Sequence, residues 1–202
     1  MSIAYDARAM SPARARTSRD AILVAARQVL EADGLDALTM QVVADRVGVR
    51  APSLYKHVAN RAALLQAVTD AVMGELIAAL AIPRPSPDPR HDLRRVARRY
   101  RSFVRANPAG YALLFARPGT AGSVDEAALA DLGRPIVAAT ARLAGERDAL
   151  VHARTIVSWA HGFVSMELAG AFRLGGDLDT AYAEGIEVIL AGISGRAIPP
   201  PG

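Results

Sequence analysis

Apolar residues recur at intervals of three and four along most of the chain, and this spacing restricts the fold to packed helices. In the segment after Ser18, five such residues fall on one helical face: Ile22, Ala25, Ala26, Val29 and Leu30. We find no segment with the alternation of apolar and polar residues that predicts a half-buried strand. Hydrophobic residues make up 51% of the sequence, which is enough to form a substantial core. The sequence therefore predicts an all-α fold.

Capping residues, glycines and prolines divide this pattern into about nine helices. Ser18, Thr39 and Asn60 have side chains that commonly cap helix N-termini, because their oxygens accept hydrogen bonds from free backbone N–H groups. The predicted helices span residues 18–33, 39–47, 51–57, 60–80, 92–106, 107–115, 123 onward, 149–172 and 179–193.

The helix that begins at Ser123 has two further signals. Ser123 and Glu126 form a capping-box pattern, and Pro135 is expected to kink or interrupt the helix. We predict four regions along the chain: a flexible arm over 1–17, a helix-turn-helix head over 18–62, a body over 63–196 and a tail over 197–202.

Residues 39–61 have the pattern of a helix-turn-helix, in which a second short helix enters the major groove of DNA. Ala44 allows close helix approach, Gly48 suits the tight turn, and Leu54 is expected to fill the core between the helices with Val43, Val47 and Val58. The alternative is an αα-corner without a DNA role. The face left outward consists of short, hydrogen-bonding or cationic residues: Arg50, Ala51, Ser53, Tyr55, Lys56 and His57.

Residues 47–68, VGVRAPSLYKHVANRAALLQAV, closely resemble the recognition helix and following helix of the tetracycline-repressor (TetR) family. The Pro-Ser-Leu-Tyr-Lys-His-Val stretch is especially specific, and the resemblance is strong over 18–68. It implies a three-helix DNA-binding head, a helical ligand-sensing and dimerisation body, and a repressor that a small molecule releases from a palindromic operator. The implied partners are double-stranded DNA, a second copy of the chain and a small-molecule effector.

The resemblance also implies individual roles within the head. Thr39, Tyr55 and Arg61 would contact phosphates, and Lys56 and His57 could contact phosphates or bases. Arg50 could pair with guanine or only neutralise a phosphate. In the arm, Arg14, Arg16 and Arg19 could reach the minor groove or remain solvated. The residues placed to approach bases are Gln41, Arg50, Ala51, Pro52 and Ser53.

Residues 158–172, SWAHGFVSMELAGAF, resemble the penultimate helix of a TetR subgroup with a Trp-His-Gly signature. In that family this helix and the last one pair with those of a second subunit. Small residues that would permit close approach in such a dimer are Gly162, Ala169, Gly170, Gly185 and Gly192. The alternative is that both helices are simply buried within one chain.

One polar stripe crosses this apolar helix at Arg154, Ser158, His161 and Ser165. It is expected to face either a ligand cavity or the dimer interface. If a cavity exists, its wall is predicted to include His161 and six apolar or aromatic residues that could equally be plain core: Phe103, Tyr111, Phe115, Trp159, Phe163 and Met166.

Several other functions are disfavoured by the composition. The chain has no cysteine, no Gly-rich phosphate loop and no metal-spaced cluster of His and carboxylates, so we predict neither an enzyme nor a cofactor. We also expect a cytoplasmic protein without a membrane span. The arginine-rich face of the helix 92–106 is expected to be solvated. The remaining alternative is an all-helical interaction or small-molecule-binding protein without DNA binding.

Overall fold

The structure, a computed structural model, describes residues 18–115 and 122–194, and within these ranges every regular element is an α-helix. The predicted arm, the tail and most of the 119–122 loop lie outside the described residues. The nine helices of the described ranges are α1 (Arg19–Asp33), α2 (Met40–Val47), α3 (Ala51–Leu54), α4 (Arg61–Leu80), α5 (Pro89–Ala106), α6 (Pro108–Leu114), α7 (Glu126–Ala144), α8 (Ala149–Leu168) and α9 (Leu178–Ser194).

Three predicted helix starts are confirmed by their caps. The side chains of Ser18, Thr39 and Asn60 each accept a hydrogen bond from the backbone N–H three residues later, at 3.1, 3.2 and 2.9 Å. Each bond satisfies a backbone donor that has no partner within its helix.

Two predicted helix starts are wrong. Helix α5 begins at Pro89 rather than near Asp92, because Asp88 caps it and proline is well suited to a first helical position. Helix α7 is capped by Asp125 and not by Ser123, whose backbone N–H is bound instead by the side chain of Gln66 at 2.9 Å.

The interruption predicted at Pro135 is also wrong, since α7 runs through this residue without a break. A proline removes one backbone hydrogen bond, and α7 compensates by packing along both α5 and α8. Helix α3 is one turn long and gives way to a turn over 55–57.

Helix α8 ends at Leu168, four residues before the predicted end. Gly170 adopts a left-handed conformation with φ 62°, and the N–H groups of Gly170 and Ala171 donate to the carbonyls of Glu167 and Met166. This arrangement is the Schellman motif that ends many helices, and glycine adopts it without steric cost.

Helix α4 joins the two parts of the molecule. Its first turns pack on α1 in the head, and it also contacts α5, α6 and α7 in the body. Among the described helices it alone is long and apolar enough to cross a membrane. Leu64, Val68, Val72 and Leu76 are nevertheless fully buried in the protein core, so its apolar character is explained by packing on both sides.

The body contains a buried ion pair between α5 and α8. The Arg101 side chain donates to both carboxylate oxygens of Glu167 at 2.7 and 2.8 Å, and the residue is 8% exposed. Arg101 also contacts Asp179 of α9, and its guanidinium lies 5.1 Å from the centre of the Tyr182 ring. The hydrogen bonds from Arg101 lower the pKa of Glu167. The prediction that the arginines of this helix are all solvated is therefore wrong for Arg101.

Candidate nucleic-acid interface and internal cavity

The helix-turn-helix has the predicted core and turn. Gly48 has φ 77° and ψ 33°, and this left-handed residue lets the N–H of Val49 donate to the carbonyl of Ala44 at 3.0 Å. Leu54 of α3 is fully buried against α2. The turn and the buried leucine together hold α3 on the surface of the head.

Replacing Gly48 with alanine is expected to lower the free energy of unfolding by about 1–2 kcal/mol, because a Cβ atom disfavours the left-handed conformation. Gly74 is the matched control. It lies inside α4, where an added Cβ meets no atom within 4 Å, so alanine there should stabilise the protein by about 0.5–1 kcal/mol. Urea unfolding of both variants measures the difference. Equal effects at the two sites would contradict the assigned turn.

The outward face of α3 and the following turn has no competing interactions within the described residues. The side chains of Arg50, Tyr55, Lys56 and His57 are exposed, and none takes part in a hydrogen bond or ion pair there. Tyr55 is 53% exposed, which is unusual for a large aromatic side chain that has no partner. These groups offer four kinds of hydrogen-bonding side chain and two fixed positive charges to a polyanion.

Five other predicted contact residues lie in α3, in α2 or at the N-cap of α2. Pro52 is exposed, whereas Ala51 and Ser53 are half-buried at the base of α3. Gln41 is exposed on α2, and its amide donates to the carboxylate of Asp45 at 2.8 Å. Thr39 uses its oxygen to cap α2, which leaves the hydroxyl proton available to a phosphate.

Arg61 is exposed at the start of α4 and also makes contacts within the head. Its side chain donates to the carbonyls of Leu38 at 2.7 Å and Leu35 at 2.8 Å. These bonds fix the loop between α1 and α2, and that loop presents Thr39. Arg61 therefore holds the loop that carries Thr39, a role that could not be inferred from its position at the start of α4, and its phosphate contact stays a prediction.

A second candidate site is an apolar cavity of about 220 Å³ in the body, which opens to solvent beside the exposed side chains of Phe115, Leu129 and Val157. It lies between α4, α5, α7 and α8, next to Phe115 at the end of α6. Of the seven residues predicted to contact a ligand, Phe115 alone lines it. The lining residues are Leu80, Val96, Ala97, Tyr100, Phe115, Leu129, Leu132, Gly133, Ile136, Ile156, Val157 and Ala160.

Tyr100 connects this cavity to two predicted ligand residues. The Tyr111 hydroxyl lies 2.7 Å from Nδ1 of His161, the Tyr100 hydroxyl lies 3.4 Å from the same nitrogen, and the two hydroxyls contact each other. Burial raises the pKa of Tyr100 and raises that of Tyr111 to about 12, so both phenols stay protonated at neutral pH. Tyr100 is not among the predicted ligand residues, and its sole signal is that a buried tyrosine requires a hydrogen-bond partner.

The other predicted wall residues lie elsewhere. Trp159 and Phe163 pack on Tyr182 of α9, with ring centres 5.0 and 5.1 Å apart from it. Phe103 is half-buried against the core, and Met166 is 48% exposed. None of these four residues lines the cavity, although Phe103 lies on α5 and the other three lie on α8, and both helices border it.

The small residues predicted to form a dimer contact on α8 and α9 differ in exposure and in role. Ala169 and Gly192 are exposed and Gly162 is half-buried, while Gly170 serves to end α8. The space beside Gly185 is filled by the Trp159 ring of the same chain, which an added Cβ would strike. The close approach predicted for Gly185 is thus an intrachain contact.

The polar stripe on α8 is split as well. Arg154, Ser158 and Ser165 are exposed. His161 is half-buried and bonded to Tyr111. The stripe therefore has one member beside the cavity network and three on the outer surface.

Two family models match the chain. "Bacterial regulatory proteins, tetR family" matches residues 22–68, and "Tetracyclin repressor-like, C-terminal domain" matches residues 93–189. The second match does not name the Trp-His-Gly subgroup, and that assignment stays a prediction.

Individual proteins agree with these matches. An HTH-type transcriptional regulator from Mycobacterium tuberculosis is 30% identical, over 90% of this chain and 84% of its own length. The class A tetracycline repressor from Escherichia coli is 28% identical, over 88% of this chain and 90% of its own length.

Solved structures share the fold. A protein of unknown function from Rhodococcus sp. RHA1 superposes with a TM-score of 0.77 and 28% identity, over 92% of this chain and all of that one. A TetR variant from Acinetobacter baumannii in complex with minocycline superposes with a TM-score of 0.63 and 23% identity, over 88% of this chain and 96% of its own.

Proposed function

Because the chain belongs to the TetR family of bacterial transcriptional regulators, we propose that it is a repressor that binds a palindromic operator as a homodimer and releases it when a small molecule occupies the body. DNA binding and regulation of transcription are properties of the family. One observation carries the proposal. The exposed side chains of Arg50, Tyr55, Lys56 and His57 have no partner within the described residues, and buried Leu54 anchors the short helix among them to the core of the head. We propose no catalytic activity, and we place the protein in the cytoplasm.

We assign DNA contacts to the head over residues 18–62. Thr39 and Tyr55 bind phosphates, since a helix N-terminus and a free hydroxyl both favour an anion. Arg50 can pair with guanine through two hydrogen bonds or bind a phosphate, and base substitution at the site distinguishes these. Arg61 positions the loop that carries Thr39. The remaining proposed contact residues are Gln41, Ala51, Pro52, Ser53, Lys56 and His57.

We assign dimerisation to the outer faces of α8 and α9 in the body over residues 63–196. Val151, Met166 and Val188 are exposed there, and Val188 is 70% exposed. Exposed apolar residues beside small ones, here Gly162 and Gly192, suit close packing against a second copy. A twofold axis would then present two heads to half-sites about one DNA turn apart.

A direct link between the head and the body supports ligand-controlled release. The Glu31 carboxylate of α1 accepts hydrogen bonds from the N–H groups of Ala109 at 3.0 Å and Gly110 at 2.8 Å, in the first turn of α6. Tyr111, the next residue of α6, and Phe115, at its C-terminal end, reach the cavity network. A ligand that shifts α6 would therefore pull on the head through Glu31.

Replacing Glu31 with alanine is expected to expose the amides of Ala109 and Gly110, because first-turn N–H groups have no partner within their own helix. Their hydrogen exchange should accelerate by about tenfold or more, as the loss of a charge-assisted hydrogen bond implies. Asp33→Ala, on the same helix, is the control and should leave these amides unchanged. Unaltered exchange in the Glu31 variant would contradict the link.

The minocycline of the Acinetobacter complex is not the effector we propose here. The cavity of about 220 Å³ would enclose only part of a molecule of several fused rings.

Selection of bound sequences from random double-stranded DNA tests the function. We expect a dyad-symmetric site whose binding in gel shifts weakens steeply as salt increases, because phosphate contacts release counterions. No enrichment, or binding that is insensitive to salt, would favour an all-helical protein without a DNA role.

A further inference from the structure

We propose that the effector is an uncharged, mostly apolar molecule of about nine non-hydrogen atoms whose single hydroxyl group binds Tyr100. This inference rests on the proposed function only in calling the molecule an effector, since its binding can be measured without DNA.

The cavity lining excludes charged ligands. Of its twelve residues, Tyr100 alone has a polar side chain, and none is charged. Moving a carboxylate or an ammonium group into such a site would leave the charge without a counterion, and the desolvation cost is not recovered. The part of the ligand that the cavity holds must therefore be neutral, with apolar surface for most of its contacts.

The cavity volume limits the size of the ligand. An apolar protein cavity of about 150 Å³ accommodates benzene, which has six carbon atoms. In proportion, a cavity of about 220 Å³ accommodates about nine non-hydrogen atoms. A single ring with a short substituent has this size.

The Tyr100–Tyr111–His161 chain specifies the polar group. If Nδ1 of His161 accepts, Tyr111 donates to it, Tyr100 donates to Tyr111, and an oxygen lone pair of Tyr100 is left over. In the other tautomer both bonds reverse, and the O–H of Tyr100 is left over instead. A ligand hydroxyl can donate or accept, so it satisfies Tyr100 in both cases, whereas a carbonyl oxygen satisfies only the second.

A ligand bound at Tyr100 would also be connected to the contact between α6 and the head. A hydrogen bond at Tyr100 changes a chain that continues through Tyr111, and Tyr111 lies in α6. Its neighbour Gly110 is bonded to Glu31 of the head. The side chains of Tyr100 and Tyr111 thus connect the polar end of the ligand to α6, the helix that is bonded to α1.

The test uses the full chain, calorimetric titration and three probes: 4-ethylphenol, ethylbenzene and 4-methylbenzoate. We expect 4-ethylphenol to bind with a Kd of about 1 mM or lower, and 4-methylbenzoate to show no saturable binding. Tyr100→Phe keeps the ring and removes the hydroxyl. It should reduce the preference for 4-ethylphenol over ethylbenzene by about tenfold, the usual effect of one hydrogen bond.

Gly133→Leu locates the site. Gly133 lines the cavity, an added Cβ there meets no atom within 4 Å, and leucine favours the helix, so this variant should fold and lose 4-ethylphenol binding. Binding of 4-methylbenzoate as tight as that of the phenol, an unchanged preference in Tyr100→Phe, or undiminished binding in Gly133→Leu would each overturn the inference. Failure of operator binding in gel shifts would instead count against the proposed function alone.

Discussion

Replacing Arg101 with methionine is expected to lower the free energy of unfolding by about 3 kcal/mol. Methionine keeps much of the apolar stem but removes the guanidinium that holds both oxygens of Glu167. Glu167 then remains as a largely buried carboxylate, with Arg105 at 3.8 Å as its nearest other cation. Because Arg105 can compensate only in part, the effect should lie at the lower end of the range for broken buried pairs.

Two comparisons isolate this ion pair. Arg98→Met removes an exposed arginine from the same helix and should change the unfolding free energy by less than about 0.5 kcal/mol. Combining Arg101→Met with Glu167→Leu removes both charges and should restore most of the loss, since an apolar pair avoids the desolvation cost. Urea unfolding measures all three. A double variant as unstable as Arg101→Met would show that the effect does not come from the unpaired carboxylate.

The same pair should make the stability depend on pH. Arg101 lowers the pKa of Glu167 in the folded state, so the stabilisation is complete above the ordinary glutamate pKa of about 4.3. It is lost as the pH falls through the lower folded-state value. The stability difference between the wild type and Arg101→Met should therefore be constant from about pH 7 to 5 and should shrink toward pH 3.

Replacing Tyr55 with alanine is expected to weaken operator binding by about 100-fold. A hydrogen bond from Tyr55 to a charged phosphate contributes about 1.5 kcal/mol or more, and twofold symmetry doubles the loss in a dimer to about 3 kcal/mol. Because Tyr55 is 53% exposed, the fold should be little affected. Gel shifts on the selected operator measure the affinity, and thermal unfolding checks the stability.

Tyr55→Phe and Arg134→Ala are the controls. The first removes only the hydroxyl and should reproduce most of the loss if the hydroxyl binds a phosphate. The second removes a positive charge from an exposed residue of α7, far along the chain from the head, and should leave the operator affinity nearly unchanged. Full operator affinity in Tyr55→Ala would contradict the assigned recognition surface.

Much of the head was predictable because its signals act over short distances along the chain. A cap such as Thr39 bonds to an N–H three residues away, and the left-handed Gly48 bonds within its own turn. Helix ends were predicted wrongly where two residues close together in the sequence could each begin or end the helix. Asp125 rather than Ser123 caps α7, and the Schellman motif at Gly170 ends α8 early.

The candidate cavity was predictable only in part. His161 and Tyr111 were predicted in one ligand wall and do contact each other, but Trp159 and Phe163 share α8 with His161 and contact Tyr182 of α9 instead. Helical spacing identifies which residues are apolar or aromatic, not which of several surrounding helices each will meet.

The sequence by itself determined the all-helical class, the helix-turn-helix and its exposed recognition residues, because periodicity, caps and turn glycines depend on residues three to five positions apart. Only the tertiary structure decided that Arg61 holds the α1–α2 loop, that Arg101 is buried with Glu167, and that Tyr100 stands between the cavity and His161. These contacts join residues 23, 66 and 61 positions apart. Their partners are chosen by how whole helices pack, and no local pattern in the chain encodes that choice.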